Sequence, residues 1–372
     1  MPYNQTRQFA AQLMIDLPAL ASNYKLCQTR VGPHCEVAAA VKADAYGIGI
    51  SEAAPVLAGA GCKSFFVATL EEGIELRALF GSAAHKIYIL NGLQKDAEDI
   101  IDFHSLTPVI NSLHELELWA AYAKRTRPYL KCALHIDTGM ARLGLTPDEL
   151  EHLQNRIGEF ADILDIEIVM SHFACADEKG HPFNEIQAQK FQNAADSFVF
   201  SKFSLANSSG LFRKDDWHYD MVRPGMCLYG LNPTPETDNP MKPVVKLAVP
   251  ILQRRPLPEG KSVGYGADWV AASDTELATI QLGYADGFAR LAGNKAKLYW
   301  QGHPCPVVGR VSMDLSVISL ENVPRDLLPH PGDMIEVFGP HQSVDDLACD
   351  MGTIGYELLT MLGKRYNRRY ER

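Results

Sequence analysis

From residue 37 to about 230 the chain alternates short apolar runs with amphipathic stretches, and this rhythm limits its fold more than any other feature. Runs at 37–42, 64–68, 87–90, 107–110, 131–136, 164–170, 203–206 and 219–222 have the length and residue types of strands. Between them, Glu71 to Phe80, Ser112 to Lys124, Pro147 to Gly158 and Asn184 to Phe198 carry helical periodicity. Eight strand–helix units in about 200 residues predict a (β/α)8 barrel, an α/β fold. An open doubly wound sheet uses fewer strands, and its Gly-rich turn after the first strand is missing here. Pro233, Pro235, Pro240 and Pro243 mark 232–243 as a linker. Beyond it, 244–252, 277–282, 297–300, 306–311, 315–320 and 334–338 are strand-like and separated by Gly or Pro, which predicts a mainly β C-terminal domain. Gln12 to Leu17 is also strand-like. The expected layout is an N-terminal strand over 1–17 that joins the β domain, a barrel over 18–240 and the β domain over 241–372.

With 47% hydrophobic and 22% charged residues, the chain has the composition of a globular protein. A formal net charge of -10 argues against nucleic acid or an anionic membrane as partner. No apolar run is long enough to span a bilayer, and residues 1–10 show no secretory pattern, so the expected compartment is the cytoplasm. The cysteines at 27, 35, 62, 132, 175, 227, 305 and 349 include no CxxC pair, and several sit in apolar runs. They read as reduced thiols, and neither a disulfide frame nor a metal site is expected. Gly260-Lys261-Ser262 ends like a phosphate-binding P-loop, but Arg255 stands where that loop needs glycine.

A barrel collects its chemistry at the C-terminal ends of its strands. Lys42, His135, Asp137, His172, Asn207, Ser208 and Arg223 all fall there. Lys42 ends an apolar run, where desolvation favours the neutral amine that condenses with an aldehyde. Tyr46, Gly47 and Gly49 follow on a loop suited to a phosphate. Taken alone, a lysine in that position is more often a surface residue whose stem lies along apolar neighbours.

The stretch Val41-Lys42-Ala43-Asp44-Ala45-Tyr46-Gly47 resembles the cofactor-lysine motif of the alanine racemases, fold-type III enzymes of pyridoxal 5′-phosphate (PLP). The resemblance runs in order along nearly the whole chain. It continues through Asp137-Thr138-Gly139-Met140-Ala141-Arg142-Leu143-Gly144, Ser171-His172-Phe173-Ala174, Ala206-Asn207-Ser208 and Val222-Arg223-Pro224-Gly225. Gly264-Tyr265-Gly266, Gly283-Tyr284-Ala285-Asp286-Gly287, Gly309-Arg310-Val311-Ser312-Met313-Asp314 and Ile354-Gly355-Tyr356-Glu357 complete it.

The resemblance implies an enzyme that interconverts L- and D-alanine with two bases on opposite faces, D-alanine being destined for peptidoglycan. Lys42 would hold PLP as a Schiff base and serve one face, and Tyr265 the other. An ordinary tyrosine titrates near 10, so Tyr265 needs a cation beside it, for which Arg142 is the candidate. Arg223 would face the pyridine nitrogen and, unable to give up its proton readily, leave that nitrogen unprotonated. His172 would orient Arg223 by a hydrogen bond; as a lone histidine it reads equally as a core residue. The phosphate would meet Tyr46, Tyr356, Ser208 and the backbone N–H groups of Gly225 and Met226, at what Pro224-Gly225 suggests is a helix N-terminus. Ser208 also reads as an N-cap. Arg142 and the Met313 N–H would take the substrate carboxylate. Tyr284, Asp314 and Tyr356 would narrow the entrance, and a head-to-tail homodimer would share its sites.

One position departs from the pattern. Some family members carry a carbamylated lysine seven residues before the motif arginine, where this chain has His135. The expectation is no carbamate, with Arg142 held by His135, an anion or water. The basic, aromatic stretch Lys364 to Tyr370 reads as a solvated or dimer-edge tail. Two rivals remain: another enzyme of this fold, such as a decarboxylase or a racemase of broader range, and a PLP-binding homeostasis protein. Arg223 counts against decarboxylation. A full β domain with Tyr265 and Met313 is more than a carrier needs.

Overall fold

The structure is a computed structural model in which residues 10–81, 84–198 and 201–372 are described. Residues 1–9 of the expected N-terminal unit lie outside them. The apolar run at 37–42 forms two short strands, Glu36–Val37 and Ala39–Ala40, and ends before Lys42. Strands Ser64–Val67, Lys86–Ile89, Thr107–Ile110, Leu130–His135, Leu164–Met170 and Lys202–Ser204 follow, each parallel to the one before. Met221–Val222 closes the ring. It pairs in parallel with Glu36–Val37 on one side. On the other it is tied by Asp220 N–H to the Phe203 carbonyl at 3.1 Å and by Arg223 N–H to the Ala206 carbonyl at 2.9 Å.

Helices Leu17–Val31, Leu70–Phe80, Leu113–Arg125 and Pro182–Ala195 pack outside this barrel. Thr69, Ser112 and Thr146 cap their helices by accepting from the backbone N–H three residues on. The helix expected over 147–158 divides into Pro147–Gln154 and Ile157–Ala161, because Arg156, at φ −122°, leaves the helical region between them.

A small cluster fills the barrel interior, with Phe66 stacked on Tyr88 at 4.6 Å and Val109, Ile168, Met170 and Met221 around them. Ala38, Ala40 and Ala133 contribute only methyl groups to it. Near the N-terminal end of the strands Glu167 accepts from Lys86 Nζ at 2.8 Å, Lys131 Nζ at 2.6 Å and Tyr88 Oη at 3.2 Å.

The second body is a mainly β sheet in the order His303–Pro306, Lys297–Trp300, Met334–Phe338, Val245–Leu257, Gln12–Asp16 and Asn367–Glu371. Thr275–Ile280 and Ser316–Ser319 extend it from the far half of Val245–Leu257. The strand expected at 306–311 lies earlier, at His303–Pro306. The chain then makes one bridge, Val307 to Ile318, and turns at Gly309, φ +73°.

The stretch 364–370 is not a solvated tail. Asn367–Glu371 runs parallel to Gln12–Asp16 as an edge strand. Arg368 Nη1 donates to the Gly47 carbonyl at 2.6 Å and Tyr370 Oη to the Ile48 carbonyl at 2.8 Å, so the C-terminus clasps the loop after Lys42.

Burial pushes the Glu167 carboxyl up, but the bonds from Lys131 and Lys86 outweigh it and hold it below its ordinary 4.5. Its contribution to stability is therefore complete above about pH 4.5 and is lost as pH falls through the depressed value. Glu167→Gln should cost about 1–2 kcal/mol at neutral pH, the lysines being half exposed. Thermal melts of the variant should also depend less on pH below about 5 than those of the parent.

Candidate active site

Lys42 opens an unusual turn. Ala43, Asp44, Ala45 and Tyr46 all have φ between 53° and 54°, in the left-handed region, and Gly47 continues there at 82°. No glycine relieves the first four, so the surroundings must impose the shape. Glu72 does most of this: Oε1 accepts from Ala43 N–H at 2.6 Å and Oε2 from Ala68 N–H at 2.7 Å. Asp44 Oδ1 accepts from Ile50 N–H at 2.7 Å and ties the turn to helix Ile50–Gly59. Helix Gly355–Thr360 packs so close that a Cβ on Gly47 would lie 2.1 Å from the Leu359 carbonyl. The same helix carries Tyr356 to Tyr46. Lys42 itself is half-buried. Burial, then the charge of Arg142, lower its pKa, with Glu72 opposing.

Tyr46 stacks on Tyr229 at 4.6 Å and comes so near Gly225 that a Cβ there would lie 2.3 Å from its hydroxyl. Tyr46 Oη has no hydrogen-bond partner among the described residues. Ser208 Oγ accepts from Gly225 N–H at 2.9 Å and Cys227 N–H at 3.4 Å. Ser208 is not a cap: Asn207 caps its helix, accepting from Gly210 N–H at 3.0 Å. The segment after Gly225 is one 3-10 turn, Met226–Tyr229, too short to act as a helix dipole. What remains is a cradle of hydroxyls and N–H groups around a residue with no side chain.

Arg223 is buried and meets no carboxylate among the described residues. Its Nη1 donates to Ser204 Oγ, its Nη2 to the Ser171 and Leu205 carbonyls, and it lies 6.0 Å over the Phe66 ring. His172 is not among these partners, which corrects the expectation that it orients Arg223 by a hydrogen bond. Carbonyls beyond the strand ends had already met the guanidinium. Its Nε–H has no described acceptor and remains for a ligand. Burial draws Arg223 down to about 9, so it stays charged at neutral pH. Burial, then Arg223 and Arg142, keep His172 neutral.

Residues 136–145 double back, with Leu145 N–H on the His135 carbonyl at 2.8 Å, and present Arg142 exposed at the mouth. Among the described residues Arg142 makes no ion pair or hydrogen bond. His135 Nδ1 lies 2.8 Å from Asn111 Oδ1 and is not bonded to Arg142.

The β domain carries a second group of candidates on three loops. Gly264 and Gly266, φ +72° and +79°, set Tyr265 on a turn braced by the Arg310–Asp268 ion pair. The Met313 carbonyl accepts from Ala285 N–H at 3.0 Å and joins the loops of Tyr284 and Met313. Arg365 donates to Asp286 and to Asp314, both at 2.7 Å. Within one chain nothing in the barrel covers Tyr265, 72% exposed, or Met313, 53% exposed.

Residues 15–233 match the model of the alanine racemase N-terminal domain, and 244–370 that of the C-terminal domain. The chain is 45% identical over 363 residues to an alanine racemase of Rhodospirillum rubrum, covering 97% of this chain and 96% of that one. It is 43% identical over 361 residues to a catabolic alanine racemase of Agrobacterium fabrum, covering 97% and 92%. A crystal structure of alanine racemase from Bartonella henselae with covalently bound pyridoxal phosphate superposes with a TM-score of 0.93 at 37% identity, covering 97% and 99%. This chain belongs to the alanine racemase family.

Four functional supports were missed in the sequence. Glu72 reads there as an ordinary capping-box residue, and Asn111 as a polar residue after a strand. Arg368 and Tyr370 lie in a basic tail. Only the placement of Glu72 three residues after Thr69 was a visible signal, and it points to a helix start instead of a clasp.

A depressed pKa leaves more of Lys42 as free amine at a given pH than an exposed lysine has. The cofactor-free protein should therefore be acylated at Lys42 first by a limiting amount of acetic anhydride near pH 7.5, as read by peptide mass spectrometry. Preferential labelling of exposed surface lysines would contradict the desolvated setting of Lys42.

Proposed function

We propose that this chain interconverts L- and D-alanine with PLP held at Lys42, and so supplies D-alanine for peptidoglycan. We further infer that it works in the cytoplasm as a homodimer whose β domains complete each other's barrel mouths. The observation that carries the reading is the buried Arg223, without a carboxylate, on the same barrel rim as the desolvated amine of Lys42. Relatives named alanine racemase over nearly the whole chain support it. Among the described residues no helix is long and apolar enough to cross a membrane.

When bound, PLP supplies the electron sink that makes the α-proton of an amino acid removable. Tyr46, Ser208, Tyr356 and the Met226 N–H would hold the phosphate, in the space that the missing side chain of Gly225 leaves, and the Gly225 N–H, which donates to Ser208 Oγ, would steady that hydroxyl beside it. Arg223, staying charged, would face the ring nitrogen of the bound cofactor and give it no proton, which would moderate the sink and favour return of the proton over side reactions. His172, neutral, adds no charge beside it. Arg142 and the backbone N–H of the partner subunit's Met313 would fix the substrate carboxylate and so orient the Cα–H bond. Lys42 Nζ then takes or returns the proton on one face, and Tyr265 of the partner subunit does so on the other. Tyr284, Asp314 and Tyr356 leave room for a small side chain at the entrance. A broader-range racemase of the same fold is the runner-up, with a PLP-binding homeostasis protein behind it, and substrate screening separates them.

In D2O the parent protein should convert L-alanine to D-alanine with deuterium at Cα. Tyr265→Phe should lose about 100-fold or more of that rate, while the visible absorbance of the cofactor at Lys42 persists. Absorbance without exchange in the parent protein would refute the racemase reading. Gly225→Ala should weaken PLP retention about tenfold or more, because its Cβ displaces the Tyr46 hydroxyl; equilibrium dialysis reads this directly.

A further inference from the structure

We propose that Asn111 is a positioning residue that fixes the tautomer of His135, leaving the bare Nε2 of a neutral imidazole as the acceptor that holds Arg142 for the substrate carboxylate. The proposal rests on the racemase reading for the word substrate, and on geometry for the rest.

Asn111 and His135 stand at the C-terminal ends of the paired strands Thr107–Ile110 and Leu130–His135, and both are buried. Asn111 Nδ2 donates to the Leu90 carbonyl at 3.1 Å and to the Val109 carbonyl at 2.9 Å. Both of its N–H groups are thereby engaged. A flipped amide would set its oxygen against two carbonyl oxygens, so the orientation is locked. Asn111 Oδ1 can only accept, and the ring nitrogen 2.8 Å from it must be the donor. His135 therefore carries its proton on Nδ1.

Whether a second proton sits on Nε2 depends on the charges around the ring. Arg223, Arg142 and the neutral His172 face it, with Asp137 alone opposing. Asp137 is itself turned to its own loop, accepting from Gly139 and Ala141 N–H. Burial and the two guanidinium groups bring His135 down to about 4, so the ring is neutral at physiological pH. Nε2 is then a lone pair with no partner among the described residues, beside cations.

Of those cations Arg223 is already engaged by Ser204, Ser171 and Leu205. Arg142 has no described partner, and its hairpin is hung from the carbonyl of His135 itself. Its charge is already felt at the His135 ring, and its exposed side chain is free of described partners that would keep it from Nε2. A neutral acceptor orients the guanidinium without offsetting its charge, whereas an anionic carbamate at this position would offset part of it. Alanine binding in this protein should accordingly be independent of bicarbonate.

The test begins with long-range 1H–15N spectra of the 15N-labelled protein, with His135 assigned from the signals lost in His135→Gln. The expected pattern is a protonated Nδ1 and a bare Nε2 from about pH 6 to 8, with both tautomers appearing in Asn111→Leu. Protonation of Nε2 in the parent protein, or an Asn111→Leu spectrum identical to it, overturns the proposal. Kinetics then separates the two ring nitrogens. His135→Asn keeps a polar group near Nδ1 and none near Nε2, and should raise the KM for L-alanine about tenfold with kcat within about threefold. His135→Gln, whose amide oxygen reaches the Nε2 position, should recover most of that loss. Equal KM values in these two variants overturn the role of Nε2 whatever the spectra show. Absence of alanine turnover in the parent protein would refute the function reading instead, while the spectra still decide what Asn111 does.

Discussion

The barrel mouth depends on one carboxylate, that of Glu72. Left-handed backbone costs about 1–2 kcal/mol for each residue with a Cβ, and four such residues follow Lys42 without interruption. Charge-assisted hydrogen bonds contribute about 1.5–3 kcal/mol each; Glu72 makes one to the turn, at Ala43 N–H, and Asp44 makes another, while the Ala68 and Thr69 N–H groups hold the Glu72 carboxylate in place. These bonds offset much of that cost, and the clasp of Arg368 and Tyr370 adds to them. The result is functional geometry. A left-handed turn reverses the chain within four residues, which sets Lys42 on the rim and still returns Tyr46 to Gly225 beside the phosphate cradle.

Electrostatics then divides the barrel by its ends. Near the N-terminal ends of the strands, lysines and Glu167 neutralise one another. At the C-terminal ends Lys42, Arg142, His135, His172 and Arg223 gather, and among the described residues no carboxylate pairs with the buried Arg223. Such a cluster survives in a chain of net charge -10 because most of its members give up or weaken their charge: burial lowers Lys42, His135, His172 and Arg223 alike. The same lowering prepares each for its part. Lys42 gains a free amine, the histidines become neutral hydrogen-bonding groups, and Arg223 keeps a charge that only a ligand acceptor can meet.

How much of this was legible follows from which forces are local. The barrel strands could be read because a parallel sheet covered on both faces needs runs of Val, Ile, Phe and Ala, and those runs stand out in the sequence. The left-handed turn could not. Ala43-Asp44-Ala45-Tyr46 has no glycine to announce positive φ, and its cause lies in Glu72, on another element. The stretch 364–370 misled for a similar reason. Its charges suggest water, but its strand-forming partner is Gln12–Asp16, more than 350 residues away, and Arg368 and Tyr370 are directed at backbone carbonyls. The expected bond from His172 to Arg223 is absent among the described residues, since residue type alone does not show that Ser204 and two carbonyls reach Arg223.

The two groups of candidate residues differ in how they are held, and this bears on the shared site. In the barrel, polar groups are buried and locked, as Asn111 and Arg223 are. In the β domain, Tyr265, Met313 and Tyr284 are exposed, yet their loops are not loose. Arg310 braces the first to Asp268, a backbone bond joins the second to the third, and Arg365 binds Asp286 and Asp314 together. Ordering exposed loops around aromatic and apolar tips costs conformational entropy that their own chain does not offset by burial. That cost has a physical rationale when the tips enter a second barrel mouth, because preorganised loops lose little further freedom on docking. The cationic rim supplies the matching half: an exposed Arg142 waits where a tyrosine hydroxyl and a carboxylate would both be drawn. The order of the β loops is thus already set within a single chain, before any second barrel mouth is met.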